Sequence, residues 1–261
     1  MDRFITKFEE ITLWQLSKES LFSLAKFVVD ENYIHHQKVG DNKETYVEEY
    51  QMIFTEESIF FDYSSIVVAK DNAGSIVGSI RVMNWNLNPN TIPLMKLFGE
   101  NLINKIKLKE EYEHIWHVGR FAVQKAYKDK VKLFKLLMLY AISPVFRHDR
   151  GVLLAEADEK LLRVMRAMKI DVQLLSEGKE YIGSKTIPMM VTKNGLSEFM
   201  LNNVAMAFDL RFDVEKTQLP ERVKFKSRMQ NYPFGYCDAI EAYRNSQVYK
   251  DNSIYQEYND I

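Results

Sequence analysis

Cysteine is almost absent from this sequence, since Cys237 is the only one among 261 residues. A single cysteine excludes a disulfide within the chain and agrees with a reducing compartment. Charge of one sign is lacking too: 35 basic and 36 acidic residues leave a formal net charge of -1. This balance gives no support to a general nucleic-acid-binding surface, so nucleic acid is not an expected partner.

Long apolar runs are also lacking. The longest run, residues 136–142, is far shorter than the roughly 20 residues that cross a bilayer. The N-terminal stretch MDRFITKFEE carries acidic residues and no apolar core, unlike a secretory signal. We therefore expect a cytoplasmic protein and leave peripheral contact with membrane lipid open. His35 and His36 are adjacent in a polar stretch predicted to be a loop, where neighbouring side chains point apart, so no metal site is expected.

The hydrophobic periodicity predicts an α/β protein of the α+β type, with a mixed, mostly antiparallel central sheet flanked by helices. The clearest element is a hairpin, because two Val- and Ile-rich arms flank the turn DNAG. Pro144 is predicted to end the helix that follows the central strand, and Asp158 to cap the next one. The predicted elements are helices at 13–30, 46–54, 95–106, 132–142 and 159–168, and strands at 65–70, 75–83, 115–123, 151–157, 172–175 and 187–192.

The character of the chain changes near Asn194. Residues 194–210 favour one more helix, and residues 211–261 are polar, rich in tyrosine and weakly periodic. Tyrosine at this density argues against full disorder. We expect a domain of residues 1–193 and a C-terminal extension of residues 194–261, which packs on the domain or on a partner chain such as a second copy.

The stretch IWHVGRFAVQKAYKDKVKLFKLLMLYAI, residues 115–142, is an apolar strand, a lysine-rich loop and a helix that is apolar almost all round. The order of elements around it resembles the GNAT acyltransferase superfamily. The segment HVGRFAVQ, from His117, is similar to E-x-S-R-F-x-V-D of the acyl-homoserine-lactone synthases and the related long-chain N-acyl amino acid synthases. The strand GSIR, ending at Arg81, and the segment from Gly151 to Val191 resemble the same enzymes.

The resemblance implies that two central strands splay apart and admit an acyl thioester, carried by coenzyme A or by an acyl carrier protein. Backbone groups of Phe121, Ala122 and Val123 would bind the pantetheine arm and the thioester oxygen. A small amine, such as an amino acid, would then attack the carbonyl carbon. The resemblance implies no metal in this reaction.

The loop that follows the central strand departs from the family pattern. Acetyl-CoA-dependent relatives carry R/Q-x-x-G-x-G/A there, whose backbone N–H groups bind a pyrophosphate. This chain has no glycine there, and Lys128, Lys130 and Lys132 stand at alternate positions instead. They either hold the single phosphate of a carrier protein's phosphopantetheine as point charges, or form a solvated helix start.

The catalytic positions depart as well. Met165 stands where many relatives have a tyrosine that acts as a general acid, and His117 stands where the autoinducer synthases have an acidic residue. Histidine can deprotonate an amine, or lie inert in the core. Arg120 and Arg81 either bind a substrate carboxylate or form structural ion pairs. Glu156 follows on the next strand and is expected to orient His117 or Arg120.

Three functions therefore compete. The first is an N-acyltransferase that moves an acyl chain from a carrier-protein or coenzyme A thioester to a small amine. The second is a catalytically inactive acyltransferase-like fold that serves as a binding or assembly module, which the glycine-free loop and the missing tyrosine favour. The third is an ordinary acetyltransferase. His117 and Arg120 on the matched strand favour the first.

Overall fold

The computed structural model describes residues 1–36, 43–85, 93–99, 102, 111–146, 148, 150–181 and 184–207. The strands of this part of the chain form one sheet. They are β1 Arg3–Phe8, β2 Ile11–Gln15, β3 Ser64–Lys70, β4 Ile76–Asn84, β5 His114–Val123, β6 Gly151–Asp158, β7 Gln173–Leu174, β8 Lys179–Tyr181 and β9 Ser184–Thr192. The helices are α1 Leu21–His36, α2 Lys43–Phe60, α3 Pro93–Phe98, α4 Lys130–Phe146, α5 Glu159–Ala167 and α6 Lys193–Leu201.

The sheet order is β1-β2-β3-β4-β5-β6-β9-β7, with β8 also paired to β9. Each pair is antiparallel except β5 and β6, which run parallel. The predicted fold class, a mixed and mostly antiparallel sheet flanked by helices, is confirmed. Helix α4 makes the crossover between the two parallel strands, as such a connection requires.

Helices cover both faces of this sheet, because alternate residues of a strand point to opposite sides. Val67 and Ala69 of β3 pack in the main core cluster with α4, whereas Ile66 and Val68 pack in a second cluster with α1. Helix α4 contributes many of the buried residues on the face of the sheet that it covers, among them Leu136 and Leu139. This position between sheet and α6 explains why its sequence is apolar almost all round.

The predicted hairpin is confirmed, with Ser64–Lys70 paired to Ile76–Asn84. The central strand, the strand after it and the Asp158 cap are confirmed too, since the Asp158 carboxylate accepts from the Leu161 amide N–H at 2.6 Å. The C-terminal end of α4 was predicted four residues too early, at residue 142. Pro144 lies inside its last turn and the helix runs on to Phe146.

The prediction was wrong at the N-terminus. Residues 13–15 belong to strand β2, and the first α-helix begins only at Leu21 and runs to His36. His35 therefore lies on a helix rather than in a loop. The antiparallel pair β1–β2 was not predicted, because Glu9 takes the left-handed conformation (φ 54°) at a turn that has no glycine or asparagine to announce it.

The predicted helix at 95–106 falls partly outside the described residues, and α3 covers its first part. Helix α6 begins at Lys193, close to the predicted start, and packs Leu196, Phe199 and Met200 into the main core. Residues 208–261, which hold most of the tyrosine-rich extension and Cys237, lie outside the described part of the chain. Among the described helices, none is both long and apolar enough to cross a membrane.

Candidate active site

The two parallel strands at the centre of the sheet separate at one point. Their pairing runs from His114 and Gly151 to Val118 and Ala155, and no pair follows. Beyond it, Gly119, Ala122 and Val123 of β5 stay paired to β4, and residues 156–158 of β6 stay paired to β9. A gap therefore opens between the two strands on the side toward their carboxyl ends.

A β-bulge lies on β5 where the gap begins. The register between β4 and β5 shifts between Ser79 and Arg81, and Arg120 adopts the left-handed conformation, with φ 53°. The Ser79 hydroxyl donates to the Arg120 carbonyl oxygen at 2.8 Å and fixes this geometry. A bulge increases local twist and re-aims the strand that carries it. The bulge therefore accounts for the divergence of β5 from β6.

A cavity of about 620 Å³ opens at this gap. Its floor is the separated ends of β5 and β6, and its walls come from α1, α2, α3, α4 and α5. One end is apolar, with methionine and aromatic side chains such as Phe134, Met138, Met165 and Met189. The other end is lined by charged residues of β4, β5 and β6. A cavity with an apolar body and a few convergent polar groups is the usual form of a small-molecule site.

The polar end contains a continuous chain of paired side chains, which we call the charge network. It runs from Glu156 through His117, Arg81, Glu57 and Arg120 to Glu56. The successive contacts are His117 Nε2 to Glu156 Oε2 at 2.8 Å, Arg81 Nη2 to His117 Nδ1 at 2.9 Å, Arg81 Nη1 to Glu57 Oε1 at 3.2 Å, Arg120 Nε to Glu57 Oε1 at 2.7 Å, and Arg120 Nη2 to Glu56 Oε2.

The network fixes the tautomer of His117. A guanidinium can only donate hydrogen bonds, so His117 Nδ1 must accept from Arg81 and carries no proton. Nε2 then carries the proton and donates it to Glu156. His117 is a neutral imidazole with both nitrogens engaged, and its side chain is 0% exposed. It borders the cavity and donates to the Glu156 carboxylate, which it holds in place.

Glu156 is the member of the charge network that is available to contact a bound molecule. Its side chain lines the cavity and is 13% exposed. Oε2 accepts from His117, while Oε1 is buried and has no hydrogen-bond partner. Among the described residues, no lysine or arginine lies within ion-pair distance of this carboxylate, whereas Glu56 and Glu57 each contact at least one. Its negative charge is thus unmatched within the network.

Arg81 and Arg120 are both committed to partners. Arg81 is 1% exposed and lies between Glu57 and His117, and Arg120 lies between Glu57 and Glu56. Burial alone would lower the pKa of the Arg120 guanidinium, but the Glu57 and Glu56 carboxylates raise its pKa above the ordinary value. Of the two roles considered for each arginine, the observed contacts are those of the structural ion pair.

Gly119 is required by the packing of Arg81. A Cβ atom at this position would lie 2.7 Å from Arg81 Nη2, the atom that donates to His117. Any side chain there would push the guanidinium away from the imidazole. The glycine in the sequence HVGRF therefore makes room for the charge network.

Glu57 and Tyr181 belong to this region and were not singled out in the sequence. Glu57 is 0% exposed and holds both arginines. A signal for it exists, since Ile53, Glu57 and Phe60 have the spacing of one buried helix face. Tyr181 lines the cavity from β8. Burial raises its pKa, and the neighbouring Arg120 charge acts in the opposite direction.

The three candidate lysines are separated by the structure. Lys130 lines the cavity, but Lys128 and Lys132 do not. Lys132 Nζ lies 2.6 Å from the Glu9 carboxylate, and Lys128 Nζ lies 3.8 Å from that of Glu10. The amide N–H of Lys132 donates to Asp129, whose carboxylate caps the start of α4. Phe121, Ala122 and Val123 line the cavity.

The backbone carbonyl of Val123 already has a hydrogen-bond partner in this cavity. His35 Nε2 lies 3.0 Å from its carbonyl oxygen. Because the next residue, Gln124, bonds across to Val77 of β4, the peptide groups of Val123 point the other way, into the gap.

No group of three or more metal-ligating side chains occurs in the described ranges, which omit residues 208–261 and the shorter gaps given above.

Comparison with known proteins identifies the family. Residues 19–191 match the family model described as N-acyl amino acid synthase FeeM. The chain belongs to this family. The family is one of acyltransferases, so acyl transfer from a thioester donor is the activity that membership supports. The resemblance drawn from HVGRFAVQ and GSIR is confirmed. No curated protein sequence is significantly similar to this chain.

Three solved structures illustrate the similarity in the course of the chain. FeeM, an N-acyl amino acid synthase from uncultured soil microbes, is 12% identical, with 74% of this chain and 96% of that chain covered and a TM-score of 0.48. The acyl-homoserine-lactone synthase LasI is 12% identical, with 73% and 90% covered and a TM-score of 0.41. FdhC, a nucleotide-linked sugar GNAT, is 14% identical, with 80% and 99% covered and a TM-score of 0.46.

Proposed function

We propose that the protein is an N-acyltransferase that joins an acyl chain, delivered as a carrier-protein or coenzyme A thioester, to the amino group of a small molecule. The observation that carries the proposal is the unmatched Glu156 carboxylate in the cavity at the strand gap. An unpaired carboxylate attracts an ammonium ion and can take a proton from it. Membership of the FeeM family supports the same chemistry.

The donor would lie in the gap between the strands, with its arm beside Phe121, Ala122 and Val123. Backbone N–H groups that point into the gap would stabilise the negative charge that develops on the thioester oxygen. The acyl chain would extend into the apolar end, where Phe134 and Met138 face Met165. Flexible methionines fill irregular space around an alkyl chain well.

In the reaction, Glu156 takes one proton from the bound ammonium and later releases it to solvent, and the freed amine attacks the thioester carbonyl. The C–N bond forms, the C–S bond breaks, and the thiolate leaves. Tyr181 gives the thiolate a proton and is restored by the second N–H proton of the former ammonium. A tyrosine hydroxyl is protonated at neutral pH, and burial, which raises the pKa of Tyr181, keeps it so. His117, held by Arg81, positions Glu156.

The start of α4 supports a donor that is not held through a pyrophosphate. Asp129 already caps the helix, and Lys132 and Lys128 are paired with Glu9 and Glu10. Carboxylates at this point repel a nucleotide diphosphate. Of the two donors, we therefore favour the carrier-protein thioester, with Lys130 as the cation available to its single phosphate.

The test is to incubate the purified chain with palmitoyl thioesters of coenzyme A and of an acyl carrier protein, each with and without the twenty amino acids. Free thiol and the amide product are measured together. Amine-dependent thiol release with a matching N-acyl product is the expected result. Absence of an amide product with either donor would remove the enzyme function and leave the binding module.

A further inference from the structure

The C-terminal end of α1 is bonded to both sides of the strand gap. On the β5 side, His35 Nε2 donates to the Val123 carbonyl oxygen at 3.0 Å. On the same side, Lys125 Nζ donates to the Ile34 carbonyl oxygen at 2.9 Å. On the β6 side, Lys160 in the first turn of α5 donates to the His35 carbonyl oxygen at 2.8 Å. This end of the helix therefore bridges the two strands where they separate.

We call this end of α1, residues 31–35, the latch. The last carbonyl groups of a helix have no partner within the helix and carry the negative end of its dipole. Two of them, those of Ile34 and His35, accept from lysine side chains here. The Glu31 carboxylate also accepts from the Lys125 amide N–H at 2.7 Å. Favourable helix-end contacts thus hold the latch in place.

The Val123 carbonyl is the point where the latch meets the donor site. Pairing between β5 and β6 ends at Val118 and Ala155, so this carbonyl has no strand partner across the gap. A backbone carbonyl in such a place needs a hydrogen-bond donor, and His35 supplies one. An extended chain with amide groups can pair with a free strand edge as an added strand does. The phosphopantetheine arm of the proposed donor is such a chain.

The latch and the arm therefore compete for one place. His35 lines the cavity, and its imidazole, 3.0 Å from the Val123 carbonyl oxygen, takes the space that an arm paired there would need. The His35 side chain is 37% exposed, and Lys125 and Lys160 are exposed as well. Water replaces hydrogen bonds of this kind at a small net cost. The contacts of the latch can thus be released when a ligand enters.

The rest of α1 is anchored. Leu21, Leu24 and Val29 are 0% exposed and pack in the core clusters on this side of the sheet. Ile34, in the latch, is 48% exposed. Because the buried side chains lie in the earlier turns, the latch can move while the remainder of the helix stays in place.

We propose that the latch closes the strand gap in the free protein, and that the phosphopantetheine arm of the donor opens it by replacing His35 on the Val123 carbonyl. This inference rests on the proposed acyl transfer, from which it takes the donor, and adds a conformational step before the chemistry. The apparent affinity for the donor is then reduced in proportion to the fraction of molecules whose latch is open. Weakening the latch should strengthen donor binding.

The test measures binding without turnover. The full chain is titrated by calorimetry with S-hexadecyl-coenzyme A and with an acyl carrier protein whose phosphopantetheine carries the same hexadecyl group, since these thioethers cannot transfer an acyl chain. For His35→Ala we expect a dissociation constant about three- to tenfold lower than that of the wild type. His35→Gln keeps an N–H donor and should bring the dissociation constant back toward the wild-type value.

Lys26→Ala is the matched control. Lys26 Nζ lies 2.8 Å from the Asp30 carboxylate on the same helix and does not line the cavity, so its loss should leave the dissociation constant unchanged. Amide hydrogen exchange gives a second measurement, because a bound thioether should speed exchange in residues 31–35 of the wild type.

Two results would overturn the inference while the wild type still binds a thioether. They are a dissociation constant for His35→Ala that is equal to or higher than the wild-type value, and hydrogen exchange in residues 31–35 that is unchanged or slower in the complex. Failure of both wild type and His35→Ala to bind either thioether would instead refute the proposed donor, and the inference with it.

Discussion

The basic residues of the charge network and those at the start of α4 form an instructive contrast. Arg81 and Arg120 are almost fully buried, and each contacts a buried carboxylate. Lys128 and Lys132 lie on the surface, where their partners Glu10 and Glu9 are 68% and 59% exposed. Arg81 of the first pair holds His117, which in turn holds Glu156. The second pair is solvated and screened by salt, so charge alone does not mark a site.

Among the variants that test this contrast, Glu57→Ala is expected to have the largest effect, a loss of stability. The change leaves two buried guanidiniums without their shared carboxylate, and removal of one partner of a buried ion pair costs about 3–5 kcal/mol. Chemical denaturation measures this loss as a drop in the free energy of unfolding. Glu10→Ala, which removes a surface partner, serves as the comparison and should change stability by less than about 0.5 kcal/mol. Similar losses in the two variants would contradict the distinction.

A smaller effect is expected from Tyr181→Phe. The substitution keeps the ring and removes the proton that the thiolate receives, so we predict a fall in kcat of about tenfold or more. Burial raises the pKa of Tyr181 above the ordinary tyrosine value of about 10. Its hydroxyl therefore stays protonated up to at least that pH. The ratio of wild-type to variant kcat should therefore be constant below about pH 10. A ratio that collapses toward one as the pH rises through neutrality would be evidence against this role.

The smallest effect is expected from the double variant Lys128→Ala and Lys132→Ala. Both side chains form exposed ion pairs, which typically contribute about 0–1 kcal/mol. The free energy of unfolding should change little, and the KM for a carrier-protein thioester should stay within about twofold. A steep rise in that KM, reversed by lysine at either position, would show that the surface pair does bind the donor phosphate.

The sequence was sufficient to predict the central sheet, because alternation of apolar residues and turn chemistry are local properties. The hairpin around DNAG and the strand 115–123 are examples. The positions His117, Arg120 and Glu156 were also found from sequence, and the structure brings all three into one network. Their contacts were not predictable, since the tautomer of His117 depends on Arg81 from another strand.

Other features escaped prediction for physical reasons. Glu57 stands beside Glu56 in an acidic helix, a composition that usually indicates a solvated face. The spacing of Glu57 with Ile53 and Phe60 is the one sequence signal that it points inward, and its contacts with Arg81 and Arg120 show that it does. The β1–β2 pair was hidden because Glu9 takes a left-handed conformation without glycine. Tyr181 lies in a three-residue strand, too short for a periodic signal.

The most direct test of the account is the turnover of Glu156→Gln with a carrier-protein thioester and the preferred amino acid. The amide keeps the shape of the side chain and an oxygen that accepts from His117, but it cannot take a proton from the amine. We predict that kcat falls by about 10²–10⁴-fold while the free energy of unfolding stays within about 1 kcal/mol of wild type. A folded Glu156→Gln protein with kcat within about threefold of wild type would contradict the central claim.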